Sequence, residues 1–184
     1  DRRYRTRLAR PGRFLTMISY RDAVLDDGPE LSELAARSFT EAFGSLYRAS
    51  DLNAFLTETF GRGLPSHLRD PAYRVRIASE DGRMIGFAKT GPVLFPGDWG
   101  AGTTELHQLY VLGGWHGTGV AQTLMSWAMD SAREAGKNRM VLSVYVDNIR
   151  AQRFYTRHGF TEVGSYEFRV GEVIDDDRIW SCTL

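Results

Sequence analysis

The stretch LYVLGGWHGTGVAQTLM at residues 109–125 decides the fold, because a strand, a glycine-rich loop and a helix follow one another within it. The apolar residues 109–111 are typical of a buried strand, and the run from residue 120 onward has helical spacing of its apolar side chains. Between them glycine fills four of seven positions, at Gly113, Gly114, Gly117 and Gly119. Glycine costs backbone entropy, so this concentration indicates that another group must approach the main chain closely.

The start of the predicted helix has the properties of an anion-binding site. It offers unpaired N–H donors and the positive end of the helix dipole, and Gly117, Gly119 and Ala121 leave room for a diphosphate on the backbone. Two familiar phosphate loops match less well. A P-loop needs lysine where Val120 stands, and the dinucleotide fingerprint G-x-G-x-x-G needs glycine where Gln122 stands. Dinucleotide binding stays open as a weaker alternative.

Composition describes an ordinary globular chain of 184 residues, with 42% hydrophobic and 25% charged residues, which predicts one domain. Its one cysteine, Cys182, excludes an intramolecular disulfide and is consistent with a reducing compartment. No apolar run approaches the ~18 residues that span a membrane. We therefore expect a cytoplasmic protein with no membrane partner.

Charge divides the chain into two parts. Residues 1–16 contain six arginines and one aspartate, a net charge of +5, and the remainder carries −5. We expect residues 1–16 to be a disordered basic extension from a tag or a non-native start, and residues 17–184 to form the single domain. The acidic balance of that domain favours a cationic substrate and gives no reason to expect nucleic acid.

Hydrophobic periodicity predicts the element order β-α-α-β-β-β-α-β-α-β-β. The first helix begins near Pro29, Ser50 is predicted to cap a second helix that ends at Gly61, and Asn148 is predicted to cap a short helix that Gly159 closes. The strand–helix–strand segment from residue 104 to residue 146 predicts a parallel crossover. The fold class is therefore α/β (α+β), with a single mixed, mostly antiparallel sheet of about seven strands flanked by helices.

The glycine-rich loop resembles the acetyl-CoA-binding motif [QR]-x-x-G-x-[GA] of the GNAT acyltransferase superfamily. Gly119 and Ala121 match that motif, and His116 replaces its glutamine or arginine. The segment NIRAQRFYTRHGF at 148–160 is similar to the helix after the family's fifth strand. The resemblance covers residues 18–184, and a weaker likeness at 43–56 and 168–184 points to the bacterial spermidine/spermine-type branch. It implies a GNAT-like fold, N-acetyltransferase activity and acetyl-CoA as cosubstrate. No cluster of four ligands in the sequence suits a metal, so we expect none.

The resemblance also implies how acetyl-CoA is bound. The glycines would hold the pyrophosphate, and the backbone at 109–111 would face the pantetheine arm. The cofactor-binding residues that it implies are Leu109, Tyr110, Val111, His116, Gly117, Thr118, Gly119, Val120, Ala121, Asn148 and Tyr155.

Four residues are candidates for catalysis. Tyr155 lies two helical turns after Asn148 and could protonate the leaving thiolate, although core packing would also explain an aromatic residue there. Glu105 and His107 lie on one face of a strand and are candidates for the base, with bulk water as the alternative. Glu105 stands six residues before Val111, where histone-type members carry a glutamate base. The Val111 amide is the expected oxyanion donor.

The acceptor pocket should be walled by the two N-terminal helices and the loop at 91–103, with Phe39, Phe43, Tyr47 and Trp99 as substrate-binding candidates. We predict transfer of acetyl from acetyl-CoA to a primary amine of a small molecule, for example a polyamine, by direct attack in a ternary complex. The alternatives are a protein or peptide N-terminal acetyltransferase, which needs an open groove, and a non-catalytic acyl-CoA-binding regulatory module. The sequence leaves the assembly state open, a homodimer included.

Overall fold

Seven strands form one mixed sheet in the computed structural model, which describes residues 17–184. Their bounds are β1 Ile18–Asp22, β2 Arg74–Glu80, β3 Arg83–Gly91, β4 Thr103–Val111, β5 Arg139–Tyr145, β6 Thr161–Val170 and β7 Val173–Thr183. The order across the sheet is β1-β2-β3-β4-β5-β7-β6, and β4 and β5 are the parallel pair in an otherwise antiparallel arrangement. The predicted fold class and parallel crossover are confirmed. The predicted extension at 1–16 lies outside the described residues.

Within residues 17–184, five α-helices flank the sheet: α1 Gly28–Phe43, α2 Ala49–Leu56, α3 Leu64–His67, α4 Val120–Glu134 and α5 Ile149–Arg157. Asn148 caps α5 as predicted, because its side-chain oxygen accepts a hydrogen bond of 3.2 Å from the Ala151 amide. None of the helices within residues 17–184 is long and apolar enough to cross a lipid bilayer.

The second helix differs from the prediction at both ends. It begins at Ala49, with Arg48 in the extended N-cap conformation, so Ser50 lies in the first turn and caps nothing there. The chain then continues through a π-helical segment, Thr57–Gly63, into α3, so Gly61 does not end it. Burial explains the continuation, because Phe60 and Leu64 are both in the core and outweigh the low helix propensity of glycine.

Two hydrophobic layers cover the two faces of the sheet. Alternation along β3 shows this, since Phe87 packs with α1 and its neighbour Ala88 packs with α4. Val120, which opens α4, is completely buried and fixes the start of that helix against the sheet.

The parallel strands β4 and β5 separate soon after they meet. They pair at only three positions, Thr103–Arg139, Thr104–Met140 and Glu105–Val141. Beyond Glu105, the backbone edge of β4 that faces β5 has no ladder partner in that strand. This split positions the functional site, because it opens the sheet at the carboxyl ends of both strands.

Candidate active site

A cavity of about 960 Å³ occupies the split between β4 and β5. Its walls include residues 106–111 of β4 and 143–145 of β5, together with the starts of α4 and α5. Helix α1 and strands β6 and β7 complete the enclosure through Phe39, Phe168 and Asp177. A volume at the upper end of the ~300–1,000 Å³ range for ligand pockets accommodates a long ligand and a second molecule.

The start of α4 fits a pyrophosphate. Gly117 and Gly119 have φ values of +73° and +90°, a left-handed backbone that favours glycine. A Cβ atom placed on either glycine would meet no atom within 4 Å, so the space above the loop is open. Both glycines and Ala121 line the cavity, and the first N–H groups of α4 lie beside them.

His116 and Arg150 form a pair at the loop. The His116 Nε2 atom lies 2.8 Å from the Val111 carbonyl oxygen, and its Nδ1 atom lies 2.5 Å from Arg150 Nη1. A guanidinium only donates, so Nδ1 accepts and Nε2 carries the hydrogen that Val111 accepts. Arg150 also lines the cavity, so it brings a positive charge beside His116, the residue that replaces the glutamine or arginine of the motif.

Two of the residues that the resemblance implied for the cofactor do not line the cavity with their side chains. Thr118 donates a hydrogen bond of 2.6 Å to the Trp115 carbonyl oxygen, so its side chain shapes the loop. Val120 points into the core. Nine of them do line it: Leu109, Tyr110, Val111, His116, Gly117, Gly119, Ala121, Asn148 and Tyr155.

Tyr155 lies where the cavity meets the core. Its ring packs against Phe154 and Phe160, at centroid distances of 5.6 and 5.8 Å, and it also lines the cavity beside Asn148. Burial raises the pKa of Tyr155 to about 12, so the phenol keeps its proton at neutral pH. Its role as the acid stays a prediction.

Glu105 and His107 share a face of β4, with 3.1 Å between Glu105 Oε1 and His107 Nδ1. The loop after β3 folds over Glu105, and the Leu94 amide donates a hydrogen bond of 2.8 Å to its carboxylate. Glu105 therefore lies outside the cavity lining and anchors the loop. His107 does line the cavity, but its Nε2 atom is 3.0 Å from the Pro92 carbonyl oxygen. Both partners of this pair are thus engaged in holding the loop.

Three of the four predicted acceptor-binding residues line the cavity, and the fourth does not. Phe39, Phe43 and Tyr47 line the cavity. Trp99 does not, because the 91–102 loop turns its ring against Phe95 and the Arg139 guanidinium, which lies 5.0 Å from the indole centroid.

Two buried carboxylates line the cavity on β7, and sequence reasoning missed both. Asp175 and Asp177 are 8% and 7% exposed, whereas Asp176 between them faces outward. The Tyr47 hydroxyl donates to Asp175, and the Ser143 side chain hydrogen-bonds to Asp177. Neither carboxylate forms an ion pair with a lysine, arginine or histidine in the part of the chain that the structure describes.

Burial is the main cause that raises the pKa of Asp177 to about 6, and the charges of Asp175 and Asp176 raise it further. The signal that sequence analysis passed over is the run VIDDDRI at 173–179. Strand alternation puts its first and third aspartates on one face with Ile179, a core residue.

Within residues 17–184, no three His, Cys, Asp or Glu side chains lie close enough together to hold a metal ion.

Comparison with known proteins agrees with the geometry. The model of the acetyltransferase (GNAT) family matches residues 29–160. An uncharacterized N-acetyltransferase from Mycobacterium tuberculosis is 34% identical over 156 residues, which cover 84% of this chain and 96% of that protein. An aminoalkylphosphonate N-acetyltransferase from Salmonella typhimurium is 29% identical over 107 residues, 57% of this chain and 68% of that protein.

Among solved structures, the PaiA N-acetyltransferase from Thermoplasma acidophilum, in complex with coenzyme A, superposes with a TM-score of 0.74. It is 20% identical, and the match covers 91% of this chain and 99% of that one. The chain therefore belongs to the acetyltransferase (GNAT) family, and it is an acetyl-CoA-dependent N-acetyltransferase.

Proposed function

We propose that the acceptor is a small primary amine that binds as a cation, with polyamines as the leading class. The observation that carries this proposal is the pair of buried carboxylates, Asp175 and Asp177, without a cationic partner in residues 17–184. A buried charge is costly unless it is paired. A protonated amine would supply the missing positive charge.

The aromatic wall supports the same class of acceptor. Phe39 lies at the centre of a cluster, with ring centroids 4.9 Å from Phe55, 5.2 Å from Phe43 and 6.0 Å from Tyr47. Such rings bind an alkyl chain by apolar contact and attract an ammonium group to their faces. Helix α1 carries Phe39 and Phe43, α2 carries Phe55, and all three line the cavity together with Tyr47.

Acetyl-CoA supplies the acetyl group as an activated thioester. The start of α4, with Gly117, Gly119 and Ala121, would hold its pyrophosphate, and Arg150 would add a positive charge beside it. The Val111 amide would stabilise the negative charge that develops on the carbonyl oxygen. Tyr155 would donate a proton to the departing sulfur.

The negative charge of the cavity distinguishes a cationic amine from an aminoalkylphosphonate, the acceptor in the name of the Salmonella typhimurium relative. The two carboxylates on β7 would repel a phosphonate group, so we expect an aminoalkylphosphonate to be a poor acceptor here.

Release of free thiol from acetyl-CoA over an acceptor panel tests the proposal. The panel contains putrescine, spermidine, 2-phenylethylamine, 2-aminoethylphosphonate and a short peptide with a free N-terminal alanine. We expect the cationic amines to exceed the phosphonate and the peptide in kcat/KM by about tenfold or more. Asp175→Asn should reduce that advantage by raising KM.

A preference for the peptide or the phosphonate would contradict the small cationic acceptor. Absence of thiol release with every acceptor, while acetyl-CoA still raises the melting temperature, would favour the non-catalytic binding module.

A further inference from the structure

We propose that Asp177 is the catalytic base, which takes the proton from the acceptor's ammonium group, and that Asp175 beside it holds the cation. This inference rests on the proposed function only in that the acceptor enters as a protonated amine. It assigns to β7 the role for which the sequence suggested Glu105 or His107 on β4.

The position of Asp177 brings its carboxylate to the reacting end of the cavity. It lies opposite Tyr145, the last residue of β5, and β5 borders the split that receives the cosubstrate. Asp177, Ser143, Tyr110 and Tyr155 all line this cavity. The Tyr110 phenol interacts electrostatically with both Asp177 and Tyr155, so the proposed base and the proposed acid share one neighbour on β4.

The two carboxylates differ in their partners. Tyr47 donates its hydroxyl hydrogen to Asp175, which fixes the position of that side chain. Ser143, on the neighbouring strand β5, hydrogen-bonds to Asp177 and orients it. A base must reach the substrate proton, and an oriented carboxylate on the cavity wall meets that need.

The rival base is less suited to proton transfer. Glu105 is outside the cavity lining, accepts the Leu94 amide and lies 3.1 Å from His107. Proton transfer through Glu105 would have to pass His107 and release the loop that both residues hold.

Each acetyl transfer releases one proton. The ammonium group of the acceptor gives one proton to the Asp177 carboxylate and becomes a neutral amine. Its nitrogen then bonds to the acetyl carbon as the carbon–sulfur bond breaks, and the sulfur leaves with the bonding electrons. The nitrogen also loses a second proton, which offsets the proton that the sulfur receives. Asp177 then releases to solvent the proton that it took from the ammonium group. The products are the acetamide, free CoA thiol and one proton.

Phenols and carboxylates surround Asp177. The phenols that interact with it come from β4, β5, β6 and the segment before α2, and all have raised pKa values, chiefly through burial; they are Tyr110, Tyr145, Tyr166 and Tyr47. Their raised pKa values keep them neutral near pH 6, and the charges of Asp175 and the outward-facing Asp176 act on Asp177. Glu105 and Asp177 both interact with Tyr166, and Glu105 is not among the groups that act on Asp177.

The carboxylate is the active form, and its pKa is raised to about 6. We therefore expect kcat/KM for the amine to rise with pH through about 6 and then level. Spermidine is a suitable probe, because its ammonium groups stay protonated across that range and therefore cause no pH dependence of kcat/KM themselves.

The test compares Asp177→Asn with Asp176→Asn, a matched control on the adjacent, exposed position of the same strand. Asp177→Asn should lower kcat by about 10²-fold or more. It should also remove the acid limb, which is the fall in kcat/KM below pH about 6. Asp176→Asn removes the same charge and should keep both the rate and the limb, which moves slightly to lower pH because the Asp176 charge helps to raise the pKa of Asp177. If Asp177→Asn keeps the limb and Glu105→Gln loses it, the proposal is overturned.

A second acceptor separates proton transfer from a structural role. Trifluoroethylamine is largely uncharged at neutral pH and has no ammonium proton to remove. The defect of Asp177→Asn should therefore shrink to a few-fold with trifluoroethylamine. An equal defect with both amines would show that Asp177 only supports the fold.

The proposed function and this inference can fail separately. If the N-terminal peptide is the better acceptor, the same variants are measured with it, and loss of the acid limb in Asp177→Asn still supports the base. If no acceptor is acetylated, both proposals fall.

Discussion

Tyr155 shows at the residue scale how one side chain serves packing and chemistry together. Its ring completes the hydrophobic core next to Phe160, while its place in the cavity wall brings the phenol to the split between β4 and β5. A pKa raised to about 12 by burial keeps the proton available for transfer.

Tyr155→Phe should lower kcat by about 10²-fold and leave acetyl-CoA affinity nearly unchanged, because a proton given in the transition state adds little to ground-state binding. Steady-state kinetics and a binding titration measure the two effects. Tyr166→Phe, at a tyrosine outside the cavity lining, is the control and should keep kcat. If kcat of the Tyr155→Phe enzyme is within about twofold of the wild-type value, Tyr155 serves packing and is not the acid.

The half-buried His67 and the buried Lys89 form a basic pair near His107. The Lys89 Nζ atom donates to His67 Nδ1 over 2.9 Å, and Lys89 is 3% exposed. Burial lowers the pKa of His67 to about 4, with Lys89 adding to the effect, and burial lowers the pKa of Lys89 to about 8. His67 is therefore neutral in the folded state at pH values where a free histidine is charged.

This pair predicts a pH dependence of stability. Between the ordinary histidine value of 6.5 and about 4, the unfolded chain binds a proton at His67 that the folded chain does not. The free energy of unfolding should consequently fall as pH falls through that window. In urea unfolding at pH 7 and pH 5, His67→Gln should lose less stability on acidification than wild type. Equal losses in the two proteins would contradict the prediction.

The start of α4 is the element in which backbone conformation and ligand binding meet. Val120 fixes the helix in the core, Gly119 takes a left-handed φ of +90°, and the cavity opens above them. A side chain at residue 119 would therefore cost stability through backbone strain and also obstruct the pyrophosphate.

Gly119→Val should weaken CoA binding by about tenfold or more and also lower the melting temperature. Gly136→Val is the matched control, because Gly136 at the other end of α4 has a similar φ of +75° and open space around it. We expect both variants to lose comparable stability through strain and only Gly119→Val to lose CoA affinity. Equal CoA affinities in the two variants would remove this loop from the site.

Ala121 offers the same test without strain, since it lies in the first turn of α4 and lines the cavity. Ala121→Leu should weaken CoA binding by about tenfold while the melting temperature stays close to that of wild type. Calorimetric titration with CoA, together with a melting curve, checks both parts. Unchanged affinity would mean that the ligand does not pass over this turn.

At the scale of the whole molecule, ligand binding and folding are linked, because the cavity exists only when β4, β5 and β7 are assembled. Acetyl-CoA at about 100 times its Kd should add about 2.7 kcal/mol to the free energy of unfolding, a rise of roughly 5–10 °C in melting temperature. NADH is the control and should give no rise. Stabilisation by NADH without stabilisation by acetyl-CoA would reinstate the dinucleotide alternative.

The sequence by itself determined the order of the elements and the binding loop. Both are local properties: alternation marks the strands, 3.6-residue spacing marks α1 and α4, and Gly117 and Gly119 mark the turn into the helix. Asn148 likewise caps α5 through a bond to a residue three positions away. Information of this kind lies within a few residues along the chain, so it can be read without the fold.

The tertiary structure alone decided the wall opposite the binding loop. Asp175 meets Tyr47 across 128 positions of sequence, and no local pattern encodes that contact. The fold of the loop over Glu105, which keeps it from the cavity, was equally invisible, and so was the burial of Phe60 that carries the helix past Gly61. In each case the outcome depends on which distant side chain shares the buried space, because burial and charge pairing are set by packing between elements.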